Sequence, residues 1–302
     1  MTAFVVALAA LLALPLLAEL RRRPMTRARQ ANAPGEMADL PRGRTHYRWS
    51  GHVGDPVVVC IHGLSTPSYI FAATERSLTA LGYRVLTYDL YGRGFSARAT
   101  GVQNMRFFLG QLSALLIHQQ VTGPVSVLGF SMGGQIAAAF AARDDRVERL
   151  ILVAPSGLVE GDGPGRLWIA PVTGDWLTRV FGGVMLRREL VEHKTRATVI
   201  PDFEDRQAAE TRMRGYLPAV LSARRHVLNA PAEQDHREVA ARKLPVLAIW
   251  GSEDPVVPLK ALGALARLNP NATHVEVKGA SHTLLQTHPS EVAAALKRFL
   301  VE

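Results

Sequence analysis

A hydroxyl, an imidazole and a carboxylate stand in this chain where they could act as one nucleophilic unit: Ser131, His282 and Asp254. Ser131 lies in Gly129-Phe130-Ser131-Met132-Gly133, between the β-formers Val125, Val127 and Leu128 and a helix-forming run from Met132 to Ala142. A strand that turns straight into a helix pinches its backbone, and glycines two positions either side let the two elements pass without Cβ clashes. The hydroxyl then stands at the carboxyl edge of a sheet. Beside it is a helix N-terminus whose free N–H groups favour developing negative charge. This spacing is the nucleophile-elbow pattern. A glycine-rich turn whose serine merely caps a helix would share the pentapeptide, so the partners decide between the two.

A serine hydroxyl needs a base to take its proton, and the base needs an orienting acid. His282 ends Gly279-Ala280-Ser281-His282, just after the last expected strand, and so falls on a loop at the same sheet edge as Ser131. His288 precedes Pro289 and reads as the opening of the terminal helix, whereas His274 lies at the opposite end of its strand. Asp254, in Gly251-Ser252-Glu253-Asp254-Pro255, follows the penultimate strand and can fix the imidazole tautomer; its neighbour Glu253 is the competitor, expected to face out. Acyl transfer also needs donors for a tetrahedral oxyanion. The Met132 N–H is one, and the Leu64 N–H in His62-Gly63-Leu64 is the other, with His62 read as a support for that loop.

The elements that must position these groups alternate. Expected strands cover 45–50, 57–61, 83–88, 125–129, 147–153, 245–250 and 273–277, with helices over 69–81, 104–121, 259–268 and 289–301. Such alternation indicates an α/β fold with a mainly parallel, doubly wound sheet. The rhythm breaks at 158–240, read as an inserted helical cap with helices over 167–181, 184–193 and 203–225. The division expected is an N-terminal hydrophobic helix at 1–20, a basic linker at 21–42, core at 43–157, cap at 158–240 and core again at 241–302. Leu167, Trp168, Trp176, Phe181, Met185 and Tyr216 are apolar cap residues, read first as cap core and second as substrate contacts.

A formal charge of +9 raises the question of nucleic acid, but the excess is localised: residues 21–48 hold eight arginines against Glu36 and Asp39. No nucleic-acid-binding signature accompanies them, and their place after an apolar segment suits anionic lipid headgroups. Positions 2–18 carry no charge, near the lower limit for spanning hydrocarbon. The segment lacks the basic n-region of a secretory signal, and Arg21-Arg22-Arg23 follows it. An uncleaved anchor with the catalytic domain on the cytoplasmic side is expected, a cleaved signal near Ala18 being the rival and a helix packed on the soluble domain the third reading. The single cysteine, Cys60, excludes an internal disulfide and reads as core, and no CxxC or HExxH spacing suggests a metal site.

With these pieces side by side, the chain resembles the α/β-hydrolase superfamily, in its branch of serine esterases, monoacylglycerol-lipase-like enzymes and meta-cleavage C–C hydrolases. The resemblance rests on His62-Gly63, Asp89-x-x-Gly92-x-Gly94-x-Ser96, Gly129-Phe130-Ser131-Met132-Gly133-Gly134, Gly251-x-x-Asp254-x-x-Val257-Pro258 and Gly279-x-Ser281-His282. It implies a Ser-His-Asp triad and carboxylic ester hydrolysis through an acyl-enzyme, with no cofactor, and a structural role for Asp89 and its loop. The anchor, basic collar and apolar cap favour a lipid-like or other apolar ester. C–C-bond hydrolysis or thioester hydrolysis would use the same residues, though Thr283-Leu284-Leu285 stands where the meta-cleavage branch often has an aromatic. A cofactor-free haloperoxidase and a non-catalytic binding module are the remaining alternatives.

Overall fold

The computed structural model describes residues 1–159, 165–192 and 198–301, with side chains of 189–192 left aside. Eight strands form one sheet: β1 (Glu36–Leu40), β2 (Gly43–Ser50), β3 (Val57–Ile61), β4 (Arg84–Tyr88), β5 (Val125–Phe130), β6 (Val147–Val153), β7 (Val246–Gly251) and β8 (Thr273–Val277). Their order is β1-β2-β4-β3-β5-β6-β7-β8. β2 runs antiparallel to both β1 and β4, and every other pairing is parallel. The mainly parallel sheet expected from the alternation is therefore present.

Parallel central strands are covered on both faces, so they read as continuous apolar runs. Val58, Val59, Cys60 and Ile61 of β3 and all of β5 are buried. Helices Met105–His118, Met132–Ala141, Glu233–Ala241 and Lys260–Leu268 pack in sequence with one another, while Ala72–Ala80 packs with Pro289–Val301. Met105–His118 shows why these are helices: Asn104 accepts from the Phe107 N–H at 3.0 Å as an N-cap, and Phe107, Phe108, Gln111, Leu112, Leu115 and Leu116 fall on one buried stripe. Met132–Ala141 is buried at all ten residues, consistent with its small and apolar composition.

Three expectations change. The stretch 21–42, read as a basic linker, holds a short helix, Arg27–Ala31, and strand β1. The Glu36–Leu40 sequence has no β-branched residue; the strand forms because it pairs in a hairpin with β2 through Leu40↔Gly43, a tertiary effect that propensity does not carry. The helices expected at 167–181 and 184–193 are a single-turn helix Arg166–Ile169 followed by one continuous helix, Thr173–Glu192; His193 lies outside the described residues. Gly182 and Gly183 do not break the long helix, because both are buried where it passes Leu217 and a Cβ on either would already touch that side chain. The helix expected over 203–225 is two, Phe203–Glu210 and Tyr216–Ala223, with a π-turn from Arg224 to Leu228.

The break between those two helices has a visible cause. Arg23 forms an isolated bridge there, donating its N–H to the Arg212 carbonyl and accepting from the Arg214 N–H, both at 2.9 Å. Gly215 then turns at φ +81°. The helical segment has its own small core of Met213, Tyr216, Leu217 and Val220, onto which Met25, Leu64 and Leu186 pack. The position 240, read as the cap's last residue, falls inside Glu233–Ala241, which packs on Met132–Ala141 as one of the sheet-covering helices. Among the described residues, Thr2–Arg21 is the one helix long and apolar enough to cross a membrane, and none of its residues is fully buried.

Candidate active site

β5 ends at Phe130, and the next helix begins at Met132, so Ser131 alone makes the corner. Its φ is +54° and ψ −120°, a backbone state a non-glycine residue holds only when its surroundings enforce it, at a cost of about 1–3 kcal/mol. Three hydrogen bonds enforce it: Ser131 N–H to the Val153 carbonyl at 2.9 Å, and Gly134 and Ser156 N–H to the Ser131 carbonyl at 2.9 and 3.1 Å. The flanking glycines are required by contact. A Cβ on Gly129 would lie 2.2 Å from the Gly133 carbonyl oxygen, and one on Gly133 would lie 2.0 Å from the Ile61 oxygen.

The structure brings Ser131, His282 and Asp254 together. Ser131 Oγ and His282 Nε2 are 2.9 Å apart, and His282 Nδ1 is 2.8 Å from Asp254 Oδ2. A carboxylate only accepts, so Nδ1–H donates to Asp254 and leaves Nε2 to accept the serine proton. The other Asp254 oxygen, Oδ1, accepts from the Val256 and Val257 N–H groups, both at 2.8 Å, which fixes the carboxylate on its loop. The Asp254 side chain is fully buried while the His282 ring is 21% exposed and leans on Phe130, centroids 5.1 Å apart. Glu253 is exposed. His288 meets Thr287 and His274 stacks on Trp250, both away from Ser131.

The loop after β3 lies against the serine: a Cβ on Gly63 would come 3.2 Å from Ser131 Cβ. Met132 opens its helix, so its N–H has no carbonyl four residues back within that helix. His62 is fully buried and supports this loop as expected. Its Nδ1–H donates to the Gly63 carbonyl and its Nε2 accepts from the Leu90 N–H, each at 2.8 Å. Burial holds its pKa down at about 4, so the ring is neutral and committed to those two bonds.

Two buried residues that the sequence did not point to organise the same loop. Arg93 is fully buried and stays charged, burial lowering its pKa only to about 10. Its Nε–H donates to the Leu64 carbonyl at 2.9 Å, Nη1–H to the Tyr91 carbonyl at 2.9 Å and to Gln103, and Nη2–H to the Ala219 carbonyl at 3.3 Å. It thus ties Leu64 to the helix Tyr216–Ala223. His46 holds Asp89: Nδ1 lies 2.8 Å from Asp89 Oδ2 and Nε2 2.8 Å from the Pro34 carbonyl. Burial would lower the His46 pKa, but the Asp89 carboxylate raises it on balance. Asp89 is held well below the usual carboxylate range: against the cost of burial stand His46 and a hydrogen bond from Ser68. Asp89 also accepts from the Phe95 N–H at 2.9 Å, and a Cβ on Gly94 would lie 2.0 Å from its Oδ2.

Of the apolar residues singled out in the helical segment, Tyr216 is fully buried and its hydroxyl donates to the Ser65 carbonyl at 2.8 Å. Leu167, Phe181 and Met185 are exposed instead of forming core. Among the described residues, no group of three or more His, Cys, Asp or Glu side chains is placed to hold a metal ion.

A family model described as alpha/beta hydrolase fold matches residues 56–289. The chain belongs to that family. It is 26% identical over 249 residues to a pimeloyl-(acyl-carrier protein) methyl ester esterase of Xanthomonas axonopodis pv. citri, covering 81% of this chain and 95% of that one. It is 29% identical over 247 residues to a 2-hydroxy-6-oxononadienedioate/2-hydroxy-6-oxononatrienedioate hydrolase of Cupriavidus pinatubonensis, covering 76% and 81%. Among solved structures, the enol-lactonase from Burkholderia xenovorans LB400 superposes with a TM-score of 0.72 at 23% identity, covering 88% of this chain and all of that one.

Proposed function

We propose that this member of the hydrolase fold is a serine esterase acting on apolar carboxylic esters through an acyl-enzyme. The observation that carries the reading is the unbroken relay from Asp254 through His282 to Ser131, at 2.8 and 2.9 Å, on a strained corner that presents the hydroxyl. Ser131 Oγ attacks the ester carbonyl carbon as its proton passes to His282 Nε2. Asp254 stabilises the imidazolium without taking the proton. The carbonyl oxygen becomes an oxyanion held by the Met132 and Leu64 N–H groups. His282 returns the proton to the departing alcohol oxygen, and the acyl-enzyme forms. Water then enters, loses a proton to His282, and releases the acid with Ser131 restored.

The relatives support ester cleavage and also keep a C–C hydrolase in view, since one of the two named above is an esterase and the other a hydrolase of a different printed substrate class. The apolar helix Thr2–Arg21 and the arginines after it support attachment to a membrane, with the helices between Arg166 and Ala223 as a cap beside the site. The test is turnover of a p-nitrophenyl ester and monoacylglycerol series by the full chain in detergent, with Ser131→Ala as control. Turnover that rises with acyl length and vanishes in the variant supports the reading. No ester turnover, with cleavage of a vinylogous 1,5-diketone instead, refutes it in favour of carbon–carbon hydrolysis.

A further inference from the structure

Pro15 sits inside the helix Thr2–Arg21. A proline has no N–H, so the carbonyl four residues before it, that of Leu11, loses its helical donor. The indole Nε1–H of Trp176 takes the vacant place, 2.9 Å from the Leu11 oxygen. The end of the same helix is fastened again. Arg214 donates to the Glu19 and Leu20 carbonyls at 3.1 and 2.7 Å, Gly215 N–H to the Glu19 carboxylate at 2.9 Å, and Arg22 to the Arg179 carbonyl at 2.6 Å. The Arg23 bridge to Arg212 and Arg214 follows directly. The helix is therefore joined to the helical segment at its middle and at its end, and not through a loose tether.

The rest of its surface is bare: Phe4, Leu12 and Leu16 are 72%, 68% and 62% exposed. The helix it packs against, with the turn just before it, adds Leu167, Val172 and Phe181 at 69%, 79% and 47%. An apolar surface of this extent marks an interaction site on a protein. Resting on the membrane reading above, we propose that Thr2–Leu20 and the tip from Leu167 to Phe181 form one lipid-facing surface, with Leu167, Val172 and Phe181 seated in the leaflet that receives the helix.

Three features fit a bilayer as the occupant. In hydrocarbon every backbone polar group must be satisfied by the protein, which is what Trp176 does for Leu11. Asp175, next to Trp176, is paired with Arg179 at 3.0 Å and Arg225 at 2.8 Å, so the tip's carboxylate is not carried toward lipid unpaired. Arg21 closes the helix, and Arg23, Arg27 and Arg29 follow it exposed and match anionic headgroups in sign. Leu11 is about 14 Å along the helix axis from Leu20, within the about 15 Å depth of one leaflet.

The experiment uses the full chain with vesicles of phosphatidylcholine and phosphatidylglycerol. Cys60, the single cysteine, is buried, so Leu167→Cys, Val172→Cys and, as an aqueous reference, Val53→Cys each offer one accessible thiol for a nitroxide label. Sedimentation comes first: an unlabelled chain that stays in the supernatant overturns the membrane reading and this proposal with it. With the chain bound, labels at 167 and 172 are expected to collide with a water-soluble nickel chelate severalfold less often than the label at 53, and more often with oxygen. Equal nickel accessibility at all three positions, on a chain that sediments with vesicles, overturns the proposal and leaves the anchor intact. Trp176→Phe tests the docking separately, since it keeps a ring and removes the donor. Trypsin should then cut between Arg21 and Arg29 severalfold faster in detergent; an unchanged rate overturns the docked arrangement.

Discussion

Replacing Arg93 with lysine should slow each active site without emptying it. The guanidinium reaches the carbonyls of Leu64, Tyr91 and Ala219 and the Gln103 amide at once. A lysine keeps the charge but presents its donors from one point, so it cannot span Leu64 and Ala219 together. Each buried carbonyl left without a donor costs about 1–3 kcal/mol, so loss of two should lower stability by about 2–6 kcal/mol. For a chain of this size that is a fall in Tm of at least about 3 °C. Freed from Arg93 at its carbonyl, Leu64 can turn its backbone; on the proposal that its N–H binds the oxyanion, loss of one such donor lowers kcat by about 100- to 1000-fold. Residual order in the loop makes about 100-fold the expectation for lysine, with KM changed far less. The assay is p-nitrophenyl butyrate hydrolysis, with rates normalised to sites titrated by a fluorophosphonate, alongside calorimetry. A purely structural role would reduce the number of titratable sites and leave the rate per site alone. A per-site kcat within twofold of the parent, at the lowered Tm, would refute the argument that Arg93 aims the oxyanion loop.

Other outcomes follow from single contacts. Gly133→Ala places a Cβ 2.0 Å from the Ile61 backbone oxygen, so the elbow helix and the end of β3 must separate; loss of both soluble expression and fluorophosphonate labelling is expected, and an active, stable variant would contradict the close approach. Asp254→Asn should leave the fold intact and lower kcat by about four orders of magnitude through the wrong imidazole tautomer, read by stopped-time ester assays with unchanged circular dichroism. His236 is fully buried with neither ring nitrogen bonded, and burial lowers its pKa from 6.5 to about 4. Below pH 6.5 the unfolded chain binds a proton there that the folded chain refuses until about pH 4, so stability falls as pH drops through that window. His236→Phe should remove about 2 kcal/mol of that loss, measured as urea unfolding at pH 7 and pH 4.5; identical pH slopes in the two proteins would contradict it.

Much of the fold was written in runs of residues that need no partner to be recognised. The apolar stretches at Val57–Ile61 and 150–153 are strands because both their faces are covered, and that composition is visible locally. The corner at Ser131 was legible because only glycines tolerate its flanking contacts. β1 was not, since Glu36–Leu40 becomes a strand only by pairing with β2. Gly182-Gly183 misled in the other direction: glycines usually end helices, but here they admit Leu217. Arg93 and His46 escaped notice for a shared reason. An arginine in a glycine-rich loop and a histidine in an alternating strand read as solvated, and their burial depends on carbonyls and a carboxylate far away in the chain. The exposure of Leu167 and Phe181 is likewise a property of what surrounds them, which periodicity does not encode.

The central claim is that Ser131 is the nucleophile of a relay with His282 and Asp254, and covalent labelling tests it most directly. A fluorophosphonate probe should mark the wild-type chain on Ser131, located by mass spectrometry of the labelled peptide, with His282→Gln slowing the labelling by orders of magnitude and Ser131→Ala abolishing it. Equal labelling of the wild type and Ser131→Ala would contradict the account.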